Sequence, residues 1–394
     1  MSLPPPDPSL LPLPLPGGIR SRFVDNHNGL VMHLVEAGFE QPGRPCIVLL
    51  HGFPELAYSW RKLMLPLAQA GYHVIAPDQR GYGRTTGWDA RFYVDVAASA
   101  MPNLVLDVLG LLHALGRRTV AAVFGHDFGS TVAAWCALTR PDVFRSVAMM
   151  SSPFGGPPAL PFDTADQPPA APAIDIHHAL AALGRPRKHY KWYYATPEAN
   201  ADMWHCEQGV HDFLRAYFHM KSADWPANQP QRLQSWTAGE LARMPTYYIM
   251  DLDQDMAQTV RPHLPDPDLV GPGHWLGNAE LQVYTCEFSR TGFQGGLQWY
   301  RCSTDPRIDA ALRLYAGRSI DVPAVFIAGA SDWGVWQTPG AFERMQSSAC
   351  TQMRGVHLVQ GAGHWVQQEQ APATVSLLLE FLASQPAPPV VHPA

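Results

Sequence analysis

Short apolar runs alternate with longer stretches of mixed polarity along most of the chain. Runs of four to eight apolar residues are typical of buried strands, and the stretches between them are long enough for helices. A hairpin with an Asn28-Gly29 turn is predicted within residues 23–35, and a last helix over 371–384. Strands between them are predicted near residues 46–50, 73–78, 119–125, 147–151, 324–330 and 356–360. This alternation predicts an α/β fold with a mostly parallel central sheet.

Proline-rich segments divide the chain. Residues 1–18 and 385–394 are predicted to be a proline-rich N-terminal arm and a proline-rich tail. A third such segment, 153–172, follows a predicted strand and is predicted to mark the exit from the core. The core is therefore predicted to be discontinuous and to carry a mainly helical lid, or cap, rich in Tyr and Trp. The predicted bounds are 19–155 and 316–384 for the core and 156–315 for the lid.

Composition excludes several classes of protein. Hydrophobic residues make up 46% of the 394 residues, which is enough for a large core. The 28 basic and 34 acidic residues give a net charge of −6, so no nucleic-acid partner is expected. The six cysteines form no C-x-x-C pair, which favours reduced thiols in the cytoplasm. We expect no signal peptide and no membrane span, because no apolar run is long enough. The sequence leaves the oligomeric state open, a dimer included.

Residues 125–129, Gly-His-Asp-Phe-Gly, lie between an apolar run at 119–124 and a helical run at 130–140. A nucleophile between small residues at a strand-to-helix turn is typical of the nucleophile elbow of α/β-hydrolases. Here the central residue is Asp127, a carboxylate. A carboxylate that attacks carbon forms an ester, which water must then hydrolyse. This chemistry points to enzymes that open epoxides or displace halide.

His51-Gly52-Phe53-Pro54 follows the first predicted core strand. In α/β-hydrolases, the corresponding loop supplies one donor of the oxyanion hole. We expect that donor to be the backbone N–H of Phe53 and the second donor to be the N–H of Phe128, just after the nucleophile. The pair would stabilise the anionic intermediate of ester hydrolysis.

Two further residues complete a candidate triad. Asp332 follows the apolar run 325–329, and His364 follows the run 356–359. The chain order of nucleophile, acid and histidine is that of α/β-hydrolases. A histidine has an ordinary pKa of about 6.5 and can take a proton from water at neutral pH, and Asp332 would fix its tautomer. We predict that His51 and His126 belong to the turns and not to the base position.

These motifs, with residues 78–83 (Asp-Gln-Arg-Gly-Tyr-Gly), resemble epoxide hydrolases of the soluble type within the α/β-hydrolase superfamily. The resemblance implies two lid tyrosines that donate hydrogen bonds to the epoxide oxygen. Tyr300, in Trp-Tyr-Arg at 299–301, matches one of them. Tyr190 is the best match for the other, with Tyr193 and Tyr194 as alternatives. The aromatic lid leads us to expect a small apolar or aromatic epoxide-like substrate.

Two other functions stay open at this point. A carbon–halogen hydrolase would use the same ester, but Phe53 and Phe128 stand where such enzymes generally place a halide-binding Trp or Asn. Trp60, Trp299 or Trp365 could still supply an N–H donor. The other alternative is an α/β-hydrolase that binds a ligand without chemistry, against which the intact Asp-Asp-His set argues.

We expect no cofactor and no metal. Residues 251–255 open like a calcium loop, yet its sixth and twelfth positions are Met256 and Pro262 instead of Gly and Glu. His205 and His211 are six residues apart, which would place them on different faces of a helix.

Overall fold

The computed structural model describes residues 10–165, 168–169, 174–271 and 273–385. The predicted arm is therefore described only from residue 10, and nearly all of the predicted tail lies outside the described residues. Leu13 and Leu15 of the arm pack against the hydrophobic core.

Ten strands form in the described residues. They are β1 (Ile19–Asp25), β2 (Val31–Ala37), β3 (Cys46–Leu50), β4 (His73–Pro77), β5 (Ala122–His126), β6 (Val147–Met150), β7 (Arg187–His189), β8 (Ile249–Asp251), β9 (Ala324–Gly329) and β10 (Met353–Val359).

Eight of the strands build the central sheet, in the order β1-β2-β4-β3-β5-β6-β9-β10. The β1–β2 and β2–β4 pairs are antiparallel and the other five are parallel, which confirms the predicted mostly parallel sheet. The predicted hairpin is β1–β2, and its connection runs over residues 26–30. The short antiparallel pair β7–β8 in the lid region was not predicted.

Helices cover both faces of this sheet and also build most of the segment between β6 and β9. In the described residues they are α1 (Arg61–Gln69), α2 (Met101–Ala114), α3 (Phe128–Thr139), α4 (Ile176–Ala181), α5 (Tyr190–Tyr194), α6 (Ala199–Trp204), α7 (Gly209–Lys221), α8 (Ala238–Leu241), α9 (Met256–Val260), α10 (Asn278–Thr291), α11 (Gln294–Thr304), α12 (Pro306–Asp309), α13 (Ala341–Arg344), α14 (Val366–Glu369) and α15 (Ala371–Ala383).

The central strands read as continuous apolar runs because both of their faces are covered. In β3, Val48 and Leu50 face the cluster formed with α2, α3 and the lid, while Ile47 and Leu49 face the cluster formed with α1 and α15. The segment between β6 and β9 is mainly helical, and the domain bounds given above stay a prediction. None of the helices in the described part of the chain is long and apolar enough to cross a bilayer.

Parallel strands bring the loops at their carboxyl ends to one edge of the sheet. The loops after β3, β5, β9 and β10 carry Phe53, Asp127, Asp332 and His364, respectively. The topology therefore gathers at one edge the four residues that the sequence singles out.

Candidate active site

The elbow holds Asp127 in a strained backbone conformation with φ of 53° and ψ of −119°. Positive φ is unfavourable for a residue with a Cβ, and such strain is concentrated at functional sites. The turn also brings backbones too close for side chains. A Cβ on Gly125 would collide with the carbonyl of Gly129, and a Cβ on Gly129 would collide with the carbonyl of Leu50. The two glycines are therefore required for the sharp turn that exposes Asp127.

The structure brings the three predicted triad residues together. Nε2 of His364 lies 3.2 Å from Oδ2 of Asp127, and its Nδ1 lies 3.0 Å from Oδ1 of Asp332. Oδ1 of Asp332 also accepts the N–H of Gly334 at 2.7 Å, which fixes the carboxylate. All three triad side chains are buried. Nδ1 of the imidazole therefore donates to Asp332, and Nε2 faces the nucleophile.

The site stabilises both carboxylates in their charged form. Burial alone would raise the pKa of Asp127, but its hydrogen bond to His364 and the nearby charges of Lys221 and His126 hold that pKa far below its usual range. Burial likewise opposes the charge on Asp332, and His364 together with the Gly334 N–H holds its pKa below the ordinary value. Asp127 is therefore ionised at neutral pH, as a nucleophile must be.

The two residues predicted to supply oxyanion donors, Phe53 and Phe128, both lie next to Asp127. The backbone N–H of Phe53 donates to Oδ1 of Asp127 at 3.0 Å. Phe128 is the first residue of α3, so its N–H has no acceptor within the helix. A Cβ on Gly52 would collide with the Asp127 side chain, which explains why a glycine precedes Phe53.

His51 and His126 are bound within the turns, away from the base position. Nδ1 of His51 donates to the Gly52 carbonyl at 2.9 Å and Nε2 accepts the Gln79 N–H at 3.1 Å. Burial lowers the pKa of His51, so it is neutral. His126 donates from both nitrogens, to Glu55 at 2.5 Å and to the His364 carbonyl at 2.6 Å.

The double donation makes His126 an imidazolium. Burial lowers its pKa, yet the Glu55 carboxylate outweighs burial and raises it. Glu55 and His126 thus form a buried ion pair that holds the His364 loop against the elbow. Sequence reasoning did not single out Glu55, although it directly follows the His-Gly-Phe-Pro turn.

A second carboxylate, that of the half-buried Glu369, organises the same loop. It accepts the N–H groups of Gly363 and Trp365, each at 2.9 Å, and that of Ala223 at 2.8 Å. Burial raises its pKa to about 8. Glu369 lies on the short helix α14, and nothing in its local sequence distinguishes it from a solvated residue.

Asp127 opens into a cavity of about 440 Å³ between the core and the lid. Its lining includes Tyr190, Tyr300 and Lys191 from the lid. The rest of the wall combines polar residues such as Ser99, Thr131 and Gln337 with apolar ones, which include Met101, Leu104, Trp135, Phe154, Trp299 and Leu312. A pocket that combines apolar walls with placed polar groups is typical of a small-molecule site.

Of the lid tyrosines considered from the sequence, Tyr190 and Tyr300 line this cavity. Their ring centroids are 5.9 Å apart, and the Tyr190 hydroxyl donates to Oε1 of Gln337 at 3.1 Å. The hydroxyl of Tyr193 instead donates to Asp202 at 2.8 Å, outside the cavity. That of Tyr194 donates to another buried tyrosine, Tyr217.

Both cavity tyrosines are neutral donors. Burial raises the pKa of Tyr190 and of Tyr300 well above 10, and the Asp127 carboxylate raises both further. A neutral phenol keeps the proton that a departing oxygen needs. Asp127 and the two phenols line one cavity. A substrate bound there can therefore accept hydrogen bonds at an oxygen atom from the phenols and be attacked at carbon by the carboxylate.

The Asp78–Gly83 loop positions the helix that carries Tyr300. Gly81, at φ of 88°, lies against Gly295 of α11 so closely that a Cβ on either would collide with the backbone of the other. The indole N–H of Trp299 donates to the Arg80 carbonyl at 3.0 Å. The Gly-Tyr-Gly motif thus docks α11 and, with it, the Tyr300 side chain.

Among the described residues, no group of three or more His, Cys, Asp or Glu side chains is placed to hold a metal ion. In the calcium-like segment, Asp251 pairs with Arg185 at 2.6 Å and Asp255 caps α9 through the Gln258 N–H at 2.7 Å. These carboxylates have structural partners.

Comparison with known proteins agrees with this geometry. Residues 45–175 match the family model of the alpha/beta hydrolase fold. The chain is 36% identical to epoxide hydrolase A of Mycobacterium tuberculosis over 371 residues, covering 93% of this chain and 98% of the relative. It is 33% identical to epoxide hydrolase B of that organism over 366 residues, covering 91% and 96%.

Solved structures give the same result. An epoxide hydrolase from an endophytic Streptomyces superposes with a TM-score of 0.73 at 31% identity, covering 93% of this chain and 96% of that one. Epoxide hydrolase A from Mycobacterium thermoresistibile gives a TM-score of 0.71 at 33% identity, covering 93% and 98%. The fold is therefore that of the α/β-hydrolases, as predicted. Within that fold, the chain belongs to the epoxide hydrolase family, which confirms the resemblance drawn from its motifs.

Proposed function

We propose that this protein hydrolyses an epoxide to a vicinal diol through a covalent alkyl ester on Asp127. One observation carries the proposal: an ionised carboxylate and two neutral tyrosines line the same cavity. Epoxide opening needs a nucleophile for carbon and a proton donor for oxygen, and the cavity offers both.

In the first half-reaction, Oδ2 of Asp127 forms a bond to one epoxide carbon. The bond between that carbon and the epoxide oxygen breaks, and the oxygen takes a proton from Tyr300 or Tyr190. An alkoxide is a poor leaving group unless it is protonated, so this general-acid step is essential. Oδ2 is suited to attack because Oδ1 is held by the Phe53 N–H.

In the second half-reaction, His364 takes a proton from water, and the water oxygen attacks Cγ of the ester. The negative charge that develops on Oδ1 is stabilised by the N–H groups of Phe53 and Phe128. The intermediate collapses with cleavage of the bond between Cγ and Oδ2, so that Oδ2 leaves with the substrate carbon. That oxygen takes the proton from the His364 imidazolium, whose charge Asp332 stabilises. The regenerated Asp127 carboxyl gives up its proton, which restores the neutral tyrosine.

The carbon–halogen alternative needs N–H donors that face the cavity. The indole N–H of Trp299 donates to the Arg80 carbonyl, and that of Trp365 donates to the Phe218 carbonyl at 2.8 Å. Trp60 packs in the cluster beneath the other face of the sheet. None of the three candidates is therefore placed to hold a halide, which favours the epoxide.

The experiment traps the ester. Replacing the base, His364→Gln, removes water activation and should let the alkyl enzyme accumulate when an epoxide is added. Mass spectrometry should then find the adduct on the peptide that contains Asp127. The exposed His205→Gln is the matched control and should turn over without accumulating an adduct. An adduct on another residue, or an active Asp127→Ala enzyme, would refute the proposal.

The apolar walls also support the expected apolar or aromatic substrate, since aromatic side chains such as Trp135 and Phe154 offer large contact areas. All six cysteines are free thiols, and four of them are buried. This pattern supports a reducing compartment such as the cytoplasm.

A further inference from the structure

The chain contains four lysines, and one of them, Lys191, lines the cavity of the candidate active site. Lys62 donates to the Trp275 carbonyl at 2.5 Å. The ammonium of Lys188 lies over the ring of Tyr193 at 5.0 Å, and that of Lys221 lies within an aromatic cage, 4.9 Å from the centre of the Tyr248 ring.

Lys191 differs from the other three because its side chain lines the cavity beside Asp127. Burial lowers the pKa of Lys191, and the negative charge of Asp127 opposes this effect. Asp127 already has other neighbours: Oδ1 accepts the N–H of Phe53, and Oδ2 lies 3.2 Å from Nε2 of His364. Lys191 therefore lines the cavity without an ion-pair partner of its own in the described part of the chain.

The proposed reaction removes the negative charge that lies near Lys191. When Asp127 becomes an ester, it loses its negative charge. Among the described residues that line the cavity, Lys191 is then the remaining charged side chain. Burying a cation without a counter-charge is costly, so a site that must keep it during catalysis gains from an anion on the substrate.

We infer that Lys191 is a specificity-determining residue that binds an anionic group of the substrate, so that the preferred substrates are epoxides carrying a carboxylate. This inference rests on the proposed epoxide hydrolysis. Lys191 follows Tyr190 on α5, and both side chains line the cavity. The lid would thus hold the carboxylate near the same end of the substrate as the epoxide oxygen, while the apolar walls hold the hydrocarbon part.

The test compares epoxides that carry an alkyl tail on one ring carbon and a carboxylate on the other, joined through spacers of graded length, with the methyl ester of each. The wild-type enzyme should prefer the acid at one spacer length. Lys191→Met should lower kcat/KM for that acid by about 10- to 100-fold, the range of a lost charge-assisted hydrogen bond, and leave the ester unchanged. Lys191→Arg should keep most of the preference.

Lys188→Met is the matched control, because it removes the same charge from the same lid outside the cavity. It should alter neither substrate. Equal losses of acid and ester turnover in Lys191→Met would make Lys191 part of the general machinery and overturn the inference. So would a wild-type enzyme that does not distinguish acid from ester.

These outcomes separate the inference from the proposed function. If neutral epoxides are hydrolysed through the Asp127 ester but acids have no advantage, the role of Lys191 is refuted and the reaction stands. If neither acid nor ester forms an adduct on Asp127 in the His364→Gln enzyme, the proposed function itself fails.

Discussion

The backbone N–H of Phe53 donates a 3.0 Å hydrogen bond to Oδ1 of Asp127. The other carboxylate oxygen, Oδ2, lies 3.2 Å from Nε2 of His364. The two oxygens of Asp127 are therefore distinguished before any substrate binds. In the proposed mechanism, negative charge develops on Oδ1 during ester hydrolysis, and the Phe53 donor is already in place for that step.

The role proposed for Asp332 predicts a defect in one half-reaction. Asp332→Asn should slow ester hydrolysis by up to about 10⁴-fold, because an amide at this position favours the wrong imidazole tautomer. Ester formation should change much less, since it needs no base. Rapid-quench single turnovers measure both rates. The exposed Asp253→Asn serves as control, and an unchanged rate of ester hydrolysis would assign the orienting role to another group.

The two cavity tyrosines predict a defect in the other half-reaction. Tyr300→Phe should slow alkylation by about 10²–10³-fold, the usual effect of losing one donor to a developing negative charge, and less if Tyr190 compensates. The double change of Tyr300 and Tyr190 should nearly abolish diol formation. Tyr193→Phe is the control, because its hydroxyl binds Asp202 outside the cavity.

The same tyrosine variants separate the two reaction classes. Halide departure requires no proton, so a dehalogenase would be indifferent to them. Ion chromatography of released halide from short haloalkanes provides the readout. Halide release that survives both Tyr→Phe changes, with no diol from any epoxide, would establish the carbon–halogen reaction instead.

Much of this site follows from the sequence because its residues stand directly after apolar runs. Asp127, Asp332 and His364 each follow a core strand, and parallel strands bring such loops to one edge. The position of Tyr190 relative to Tyr193 and Tyr194 could not be predicted in this way. All three lie on the five-residue helix α5, and which of them faces the cavity depends on how the lid packs.

Lys191 shows a second limit. From the sequence, a lysine is expected to be a solvated side chain. Its position on the cavity arises from tertiary packing between the lid and the core. The strands β7 and β8 were missed because three residues each are too few to give a periodic signal.

The contact between Gly81 and Gly295 predicts a stability effect. Gly295→Ala should lower the free energy of unfolding by about 1–3 kcal/mol, because the added methyl forces α11 away from the Asp78–Gly83 loop. Alkylation should fall with it, since α11 carries Tyr300. Gly239→Ala is the control, since a Cβ there meets open space within the helix α8, and it should stabilise the protein slightly. Urea denaturation distinguishes the two, and equal stabilities would contradict the docking role.

Asp78 predicts a specific dependence of stability on pH. Burial opposes its charge, yet His33 and the Arg84 N–H lower its pKa from 3.8 to about 2. A pKa lower in the folded state gives stability that is present above the unfolded value and lost as the pH falls toward 2. The full contribution is about 2 kcal/mol.

The variant Asp78→Asn isolates the contribution of the ionised Asp78 carboxylate to the free energy of unfolding. The difference in unfolding free energy between wild type and variant should shrink by about 1 kcal/mol from about pH 6 to about pH 3. Urea denaturation of both proteins at the two pH values measures it. A difference that stays constant would show that Asp78 has an ordinary pKa.

The origin of the new diol oxygen tests for the covalent ester on Asp127. A single turnover, with enzyme in excess over epoxide, is run in water enriched in the heavy oxygen isotope. The ester mechanism gives an unlabelled diol and a label on the Asp127 carboxylate, because the diol oxygen comes from Oδ2 and water attacks Cγ. A diol that carries the label after one turnover, with Asp127 unlabelled, would show that water attacks the epoxide directly and that no ester forms.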